Sequence, residues 1–409
     1  MKRGIHFILV VAIFLSLLGC SNREQVQGNA LTPPKMQERI RMNLPALAGN
    51  VAQVSVGWEH IAVLRTDGTV AALGNNEKGQ CDVSAWSGVT QIYAGDKGTL
   101  GLKYDGTAVA TWCDVSHWAD VEQVFLGDSG LALGLTSHGR VLVAGTEDAD
   151  FLAAGEWTDI ETIAITDYTI YGLKTDGTVV FAGLTHDEYW DSCAHCLIST
   201  WTNVEKIFCY DYYLAGVRSD GVVLSSCPEV LHVNGWSNLD MAVTTYPCYF
   251  GVSEDGRILT EDMLGVWYDG TFFYSQDHLY PEISVQKADL TGFANLKQLL
   301  AWSPGGYMFG LKTDGSLAQF PKGTLDANTW RGIVKLVGTY ETMAALREDG
   351  TVLTWSAMEY CPDAGSWENV VEVYPVTADG MWEFLGLRTD GTLVGTGELA
   401  SWDLNQLVK

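Results

Sequence analysis

Short apolar runs interrupted by Asp-Gly pairs recur along this chain. The segment Leu64–Val70 has the sequence Leu-Arg-Thr-Asp-Gly-Thr-Val, with apolar residues on both sides of the Asp-Gly pair. Close copies occupy residues 102–107, 173–179, 311–317 and 387–393, and weaker copies centre on Gly139, Gly221, Gly256 and Gly350. Asp-Gly between apolar runs is a strong hairpin signal, because glycine adopts positive φ without steric cost. Each copy is therefore predicted to form two strands joined by a tight turn.

A second marker keeps step with these turns: an aromatic residue, two intervening residues and then a short apolar run. It occurs at Trp86, Trp118, Trp157, Trp201, Trp236, Phe293, Trp330 and Trp367, and Trp402 closes the series. The apolar run predicts a third strand in each unit, as at 51–56 and 89–93. The nine turn glycines are 33 to 59 residues apart. Two independent markers in step indicate a repeat architecture.

The strand segments are typical of sheets that are covered on both faces, because residues such as Ile61–Leu64 are apolar at successive positions. Glycine precedes the hairpin leucine at positions 101, 134, 172, 216, 251, 310 and 386. Glycine inside a strand costs about 0.5–1 kcal/mol, so we expect another backbone to approach there, near a crowded central axis. The pattern predicts an all-β fold: a β-propeller of short three- to four-stranded blades, with about nine repeat units and seven to nine blades.

The N-terminus has the features of an export signal. Lys2 and Arg3 precede the apolar run 5–18, which is short for a spanning helix, and the run ends in Leu17-Leu18-Gly19-Cys20. This ending resembles the lipobox of bacterial lipoproteins, which implies cleavage before Cys20, lipid attachment to its thiol and a location outside the cytoplasm on the cell membrane. We expect a signal peptide at 1–19, the lipidated cysteine and a flexible tether at 20–46, and the repeat domain at 47–409.

The repeat units resemble regulator-of-chromosome-condensation repeats, a propeller family. The best match runs from Gly57 through Leu64–Val70 to Gly74-Asn75-Asn76-Glu77-Lys78-Gly79-Gln80, and the short period is closer to the bacterial branch of the family. The Asn…Gly-Gln loop is present in the first unit alone, and the family usually closes with seven blades. The resemblance implies a propeller over about residues 47–409 and, by analogy with nuclear members, raises guanine-nucleotide exchange as a hypothesis.

The charge of the chain restricts its partners. With 50 acidic and 24 basic residues the net charge is −26, which disfavours nucleic acid and polyanionic surfaces. We expect a monomer that contacts the membrane through its lipid anchor alone and binds an unknown protein or envelope ligand.

The cysteines and aspartates are the candidates for metal chemistry. Eight cysteines follow Cys20, and three of them (Cys81, Cys113 and Cys196) stand five residues before a marker tryptophan, which favours packing groups over disulfides. Cys193-Ala194-His195-Cys196 is a weak candidate for a metal or redox site, with a local disulfide or packing as the alternative. The Asp-Gly pairs lack the alternating oxygen ligands of calcium loops. We expect no metal and no cofactor.

Two aromatic insertions are the candidate partner-binding residues. The sixth unit carries Trp267, Tyr268, Phe272, Phe273 and Tyr274 around an extra Asp-Gly pair, and the segment 186–199 carries Tyr189 and Trp190. Tryptophan and tyrosine in exposed loops anchor binding surfaces, although these rings can equally pack as core. Residues 265–270 echo the hairpin pattern, so a tenth, truncated unit is an alternative.

The sequence contains no nucleophile elbow, phosphate loop or His-Glu-x-x-His motif. The main hypothesis is therefore a non-catalytic binding module. The alternative is an enzyme that acts on the cell envelope or an extracellular polymer, which converging carboxylates at the propeller axis would favour. Nucleotide exchange is the third hypothesis, and export of the chain argues against it.

Overall fold

Three-stranded antiparallel sheets follow one another along the chain in the computed structural model. It describes residues 46–127, 130–166, 169–183, 197–210, 213–226, 233, 235–245, 248–260, 264–266, 272–274, 286–287, 290–302, 307–338, 342–378 and 381–409. Each repeat unit forms one blade, in which the second strand lies between the first and the third. The predicted all-β fold is confirmed, with three strands in each blade.

The strands of blades 1 to 3 are β1 (Val51–Val56), β2 (His60–Arg65), β3 (Val70–Gly74), β4 (Val89–Ala94), β5 (Thr99–Lys103), β6 (Ala108–Ala110), β7 (Val121–Leu126), β8 (Ala132–Thr136) and β9 (Val141–Ala144). Those of blades 4 to 6 are β10 (Ile160–Ile165), β11 (Thr169–Lys174), β12 (Val179–Gly183), β13 (Val204–Tyr210), β14 (Tyr213–Arg218), β15 (Val223–Ser225), β16 (Leu239–Thr245), β17 (Cys248–Ser253) and β18 (Ile258–Thr260). A separate small sheet then has the order β20-β19-β21 and consists of β19 (Leu264–Val266), β20 (Phe272–Tyr274) and β21 (Gln286–Lys287). Blades 7 to 9 consist of β22 (Leu296–Trp302), β23 (Tyr307–Lys312), β24 (Leu317–Phe320), β25 (Ile333–Gly338), β26 (Thr342–Arg347), β27 (Val352–Ser356), β28 (Val370–Ala378), β29 (Met381–Arg388) and β30 (Leu393–Gly395).

The first strands of successive blades lie side by side, so they form the inner wall of a ring. β1 contacts β4, β13 contacts β16, β22 contacts β25, and β28 returns to contact β1. The Gln53 side chain bridges two inner strands, donating to the carbonyl of Ile92 at 2.8 Å and accepting from its amide at 3.0 Å. Among the described residues the ring contains nine blades, the upper end of the predicted range.

The small sheet of β19, β20 and β21 stands outside this ring. β16 and β17 of blade 6 contact β22 of blade 7 directly, and β20 contacts β17. The possible tenth unit is therefore an extra antiparallel sheet beside blade 6 and does not take a place in the ring.

The Asp-Gly turns close their own hairpins, and those before the last blade also hold the next blade. Asp67 Oδ1 accepts hydrogen bonds from the amide (2.9 Å) and hydroxyl (2.7 Å) of Thr69, and Gly68 has φ +81°. The Gly68 carbonyl then accepts the amide of Val89 in blade 2 at 3.0 Å. The same bond joins later blades, as from Val121 to Gly106. The carboxylate is thus used within the turn, as expected for turn chemistry rather than calcium binding.

The marker aromatics cover the strand glycines of their own blades. A Cβ added at Gly216 would lie 2.7 Å from Cζ3 of Trp201, and one at Gly172 would lie 2.9 Å from Cε3 of Trp157. The expectation that a backbone approaches these glycines near the axis is therefore wrong: the neighbour is a ring, and the glycines lie on the central strand rather than the innermost one. Blade 1 has Ala48 at the aromatic position and Val63 at the glycine position.

The two ends of the described chain meet in blade 1. Leu404 and Leu407 are buried in one cluster with Val54 and Ile61, and the Asn50 side chain donates to the carbonyl of Val408 at 2.7 Å. The helical segments are short: α1 (Ala149–Leu152) and the 3₁₀ turns Ala153–Glu156, Ile198–Thr200, Gly397–Ser401 and Leu404–Val408. Within the described ranges, no helix is long and apolar enough to cross a bilayer.

Candidate functional site

The aromatic insertion of the sixth unit contributes strands to the small sheet. Phe272 pairs with Val266 and Tyr274 with Leu264 in an antiparallel hairpin, which is the extra hairpin expected from the sequence. Trp267 and Tyr268 lie outside the described residues, and so do Tyr189 and Trp190. Their part in partner binding stays a prediction.

The cysteines that the structure describes in full are free thiols. Cys81, Cys113, Cys209 and Cys361 form no disulfide. Burial, reinforced by neighbouring Asp82 and Asp114, raises the pKa of the Cys81 and Cys113 thiols to about 11. Cys113 packs against a core cluster of blades 2 and 3, as predicted, and the Cys81 thiol lies 3.5 Å from the carbonyl oxygen of Asn75. Cys193, His195 and Cys196 lie outside the described residues. The described part of the chain contains no His, Cys, Asp and Glu group that could hold a metal ion.

Carboxylates stand on the inner wall at the second position of four consecutive first strands, where each strand bulges. They are Glu122, Glu161, Glu205 and Asp240, and all four are exposed. Lys206 forms an ion pair with Asp240 at 3.7 Å, and Lys335 pairs with Glu372. A catalytic pair of carboxyl groups usually has one member in a buried environment, which these four lack.

An exposed aromatic patch lies at the opposite end from the Asp-Gly turns. We call this the hairpin end, since the first and second strands of each blade connect there. Trp58 of blade 1 meets Trp382 of blade 9 edge to face, with ring centroids 6.1 Å apart. Trp58 is 51% exposed and Met381 is 43% exposed. Trp58 and Trp382 are the aromatic patch, and Met381 precedes Trp382 in β29.

A buried carboxylate lies beside this patch. Glu383 is 1% exposed and accepts hydrogen bonds from the hydroxyls of Tyr360 (2.7 Å) and Thr396 (2.5 Å). The pKa of Tyr360 is raised to about 12. Burial is the largest cause, followed by the hydrogen bond to Glu383 and the negative charges of Glu383 and Glu398. The chain closes tightly around the carboxylate, because a Cβ at Gly397 would overlap Glu383 Oε1. This interaction fixes the blade 8 loop that carries Tyr360 against the strand that carries Trp382.

The aromatic patch does not follow from the repeat pattern of the sequence. Its two tryptophans come from opposite ends of the chain, so neither predicts the other. One signal was available: Trp58 and Trp382 fall outside both repeat markers, whereas Trp86, Trp118 and their equivalents follow the repeat.

Residues 51–80, which form β1 to β3 and the loop after them, match the model of the Regulator of chromosome condensation (RCC1) repeat. The chain contains a regulator-of-chromosome-condensation repeat. The eight other blades share its strand order and turn, so the resemblance drawn from the sequence is confirmed. No curated protein sequence matches the chain.

Among solved structures, the chain is similar to the computationally designed Ika8 protein (13% identity, TM-score 0.40, 85% of this chain and 98% of that one). It is also similar to yeast RCC1 (Prp20) in complex with Kap60 (12% identity, TM-score 0.37, 99% of this chain and 98% of that one). A third is BamB from Moraxella catarrhalis (15% identity, TM-score 0.31, 75% of this chain and 84% of that one). The segment that matches the regulator repeat, residues 51–80, lies in blade 1 of the nine-bladed ring.

Proposed function

We propose that this chain is a non-catalytic protein-binding module of an exported bacterial lipoprotein, attached through lipid at Cys20 and facing outside the cytoplasm. The aromatic patch supports the binding role. Trp58 is half-exposed and contacts Trp382 edge to face. Exposed tryptophan side chains are typical of interaction sites, where tryptophan carries a large share of the binding energy.

The carboxyl groups support a role without catalysis. The four inner-wall acids are exposed, and the buried carboxylate of Glu383 already accepts hydrogen bonds from two hydroxyl groups. A general acid or base needs a free path to substrate, which the packing of Tyr360 and Gly397 around Glu383 blocks.

Binding is tested by capture with the full chain, purified from membranes in detergent and immobilised. Envelope extract from the source cells is passed over the chain and over the Trp58→Ala variant, and retained proteins are identified by mass spectrometry. We expect at least one protein that the wild type retains and Trp58→Ala loses. Loss on deletion of residues 260–286 with retention by Trp58→Ala would assign binding to the sixth-unit insertion instead. Retention of no protein by the wild type would contradict the proposed function.

The anchor is tested separately by intact mass. We expect the membrane-extracted chain to begin at Cys20 and to carry acyl mass, and Cys20→Ala to move the chain out of the membrane fraction. A chain that keeps residues 1–19 and bears no lipid would exclude the lipoprotein assignment.

A further inference from the structure

The hairpin end around the aromatic patch is negatively charged. It is formed by residues 57–60, 356–361, 381–384 and 396–400, all of them described. These segments contain Glu59, Glu359, Glu383 and Glu398 and no lysine or arginine. The adjoining loops 75–80 and 95–98 carry Lys78 and Lys97, each with one acidic neighbour (Glu77 and Asp96), so they add no net charge. Glu359 and Glu398 are exposed, and Glu59 is half-buried. The raised pKa of Tyr360 has the same origin in part, because nearby Glu383 and Glu398 disfavour a further negative charge.

The negative charge of the hairpin end favours binding of a cation on the faces of the tryptophan rings. The face of an indole attracts a guanidinium or ammonium group, with arginine the more frequent partner. Carboxylates next to the ring strengthen that preference, and the net charge of −26 increases the encounter rate with basic partners. A second copy of this chain would bring like charges together, so it fits the patch poorly.

We propose that the aromatic patch binds a cationic protein segment, in which an arginine or lysine stacks on Trp58 and an adjacent apolar side chain packs against Trp382. This inference rests on the proposed function, since it names the chemistry of the partner. Exposed Glu359 and Glu398, in the segments beside the patch, then set the sign of the partner charge.

The test uses three fluorescein-labelled twelve-residue peptides and the full chain in detergent. One peptide alternates Arg and Leu, one alternates Glu and Leu, and one alternates Arg and Ser. Fluorescence anisotropy should show binding of the Arg/Leu peptide that weakens as salt is raised, weaker binding of the Arg/Ser peptide and none of the Glu/Leu peptide. Equal affinity for all three peptides would overturn the inference.

The site is tested with matched variants. Trp58→Ala should weaken Arg/Leu binding by at least about tenfold, and the double variant Glu359→Gln, Glu398→Gln should weaken it and reduce its salt dependence. The controls are Tyr104→Ala, an aromatic residue with 41% exposure beside an Asp-Gly turn at the other end, and Glu122→Gln on the inner wall. Circular dichroism melting checks that each variant is folded, and Trp382→Ala replaces Trp58→Ala if that variant is not.

Two outcomes separate this inference from the proposed function. Equal weakening by the site variants and the controls would mean diffuse charge attraction and would overturn the assignment to the patch. Capture of an envelope protein that Trp58→Ala leaves unchanged, with no Arg/Leu binding, would overturn this inference while the proposed function stands.

Discussion

The ring of Trp367 lies directly over Gly386 in blade 9: a Cβ added to this glycine would stand 2.7 Å from Cζ3 of the tryptophan. Equivalent contacts recur in six other blades. The repeat therefore contains a paired choice, a large aromatic residue before the first strand and no side chain on the central strand.

Gly386→Ala should lower the free energy of unfolding by about 1–3 kcal/mol, because the added methyl group forces Trp367 or the strand to move. Urea denaturation of the full chain measures this change. The control is Gly155→Ala, where the nearest atom to the added Cβ is 4.0 Å away, so stability should be unchanged or slightly increased. Equal effects of the two substitutions would show that backbone entropy, not the ring contact, determines the loss.

The thiols should differ in reactivity in the native chain. Burial raises the pKa of Cys209 to about 12 and that of Cys81 and Cys113 to about 11. Partial burial of its thiol also raises the pKa of Cys361, although this residue is exposed. Because the thiolate is the reactive form, we expect iodoacetamide at pH 8 to modify Cys361 first and Cys209 last. Peptide mass spectrometry over time gives the order, and unfolding in urea should abolish the differences. Rapid native labelling of Cys209 would contradict the packing of β13.

A buried histidine should make stability depend on pH. His60 is 2% exposed, and burial lowers its pKa to about 4. With a pKa of about 4, the imidazole of His60 is neutral at pH 7. Its Nε2 lies 2.9 Å from Thr99 Oγ1, and because that hydroxyl donates to the carbonyl of Gln80, the imidazole donates through Nε2. The unfolded chain, with an ordinary histidine pKa, binds the proton more readily. Stability from this group is therefore complete above about pH 6.5 and is lost as pH falls towards 4, on the order of 3 kcal/mol.

The measurement is urea unfolding of the wild type and of His60→Gln at intervals from pH 7.5 to 4. The variant cannot titrate, so its stability should change less over this range. His138→Gln, at an exposed position, should retain the wild-type slope. The same slope in all three proteins would show that His60 does not carry the effect. Below this range the turn aspartates take over, because hydrogen bonds from threonine lower the pKa of residues such as Asp67 and Asp105, and the stability that they contribute is lost as they become protonated.

The C-terminal segment should hold the ring closed at blade 1. Leu407→Ala should reduce stability by about 2–5 kcal/mol, because the side chain is fully buried between the first and last blades. Asn405→Ala, an exposed neighbour, is the matched control. A Leu407→Ala effect no larger than that of the control would mean that the terminal turn is not part of the closure.

The sequence predicted what is local and repeated. Asp-Gly turns such as Asp67-Gly68, the strands after the marker aromatics from Trp86 to Trp367 and the double-sided burial of Ile61–Leu64 depend on neighbours within one unit, and the structure confirms them. The last marker, Trp402, is followed by the 3₁₀ turn Leu404–Val408 and not by a strand. The packing of the marker aromatic over the strand glycine could not be predicted in the same way. To predict the contact between Trp201 and Gly216, one must know which face of the blade the ring covers. A list of repeats also cannot tell a ring member from an insertion, as residues 265–270 illustrate.

The candidate site was less predictable for a physical reason. Trp58 and Trp382 become neighbours when the ring closes, and closure joins the first blade to the last. The charge around them is similarly assembled from four separate segments. Predicting such a surface from sequence requires the number of blades and their order around the axis.

The small sheet between blades 6 and 7 is outside the ring, and β16 and β22 contact each other directly across its point of insertion. The circumference of the ring is therefore independent of the length of chain inserted there. Lengthening that segment adds only loop-closure entropy, about 0.6 kcal/mol for each doubling. This position can accept new sequences, including whole foreign hairpins, while the nine blades keep their geometry, which makes it the natural place for diversification in evolution and for insertions by design.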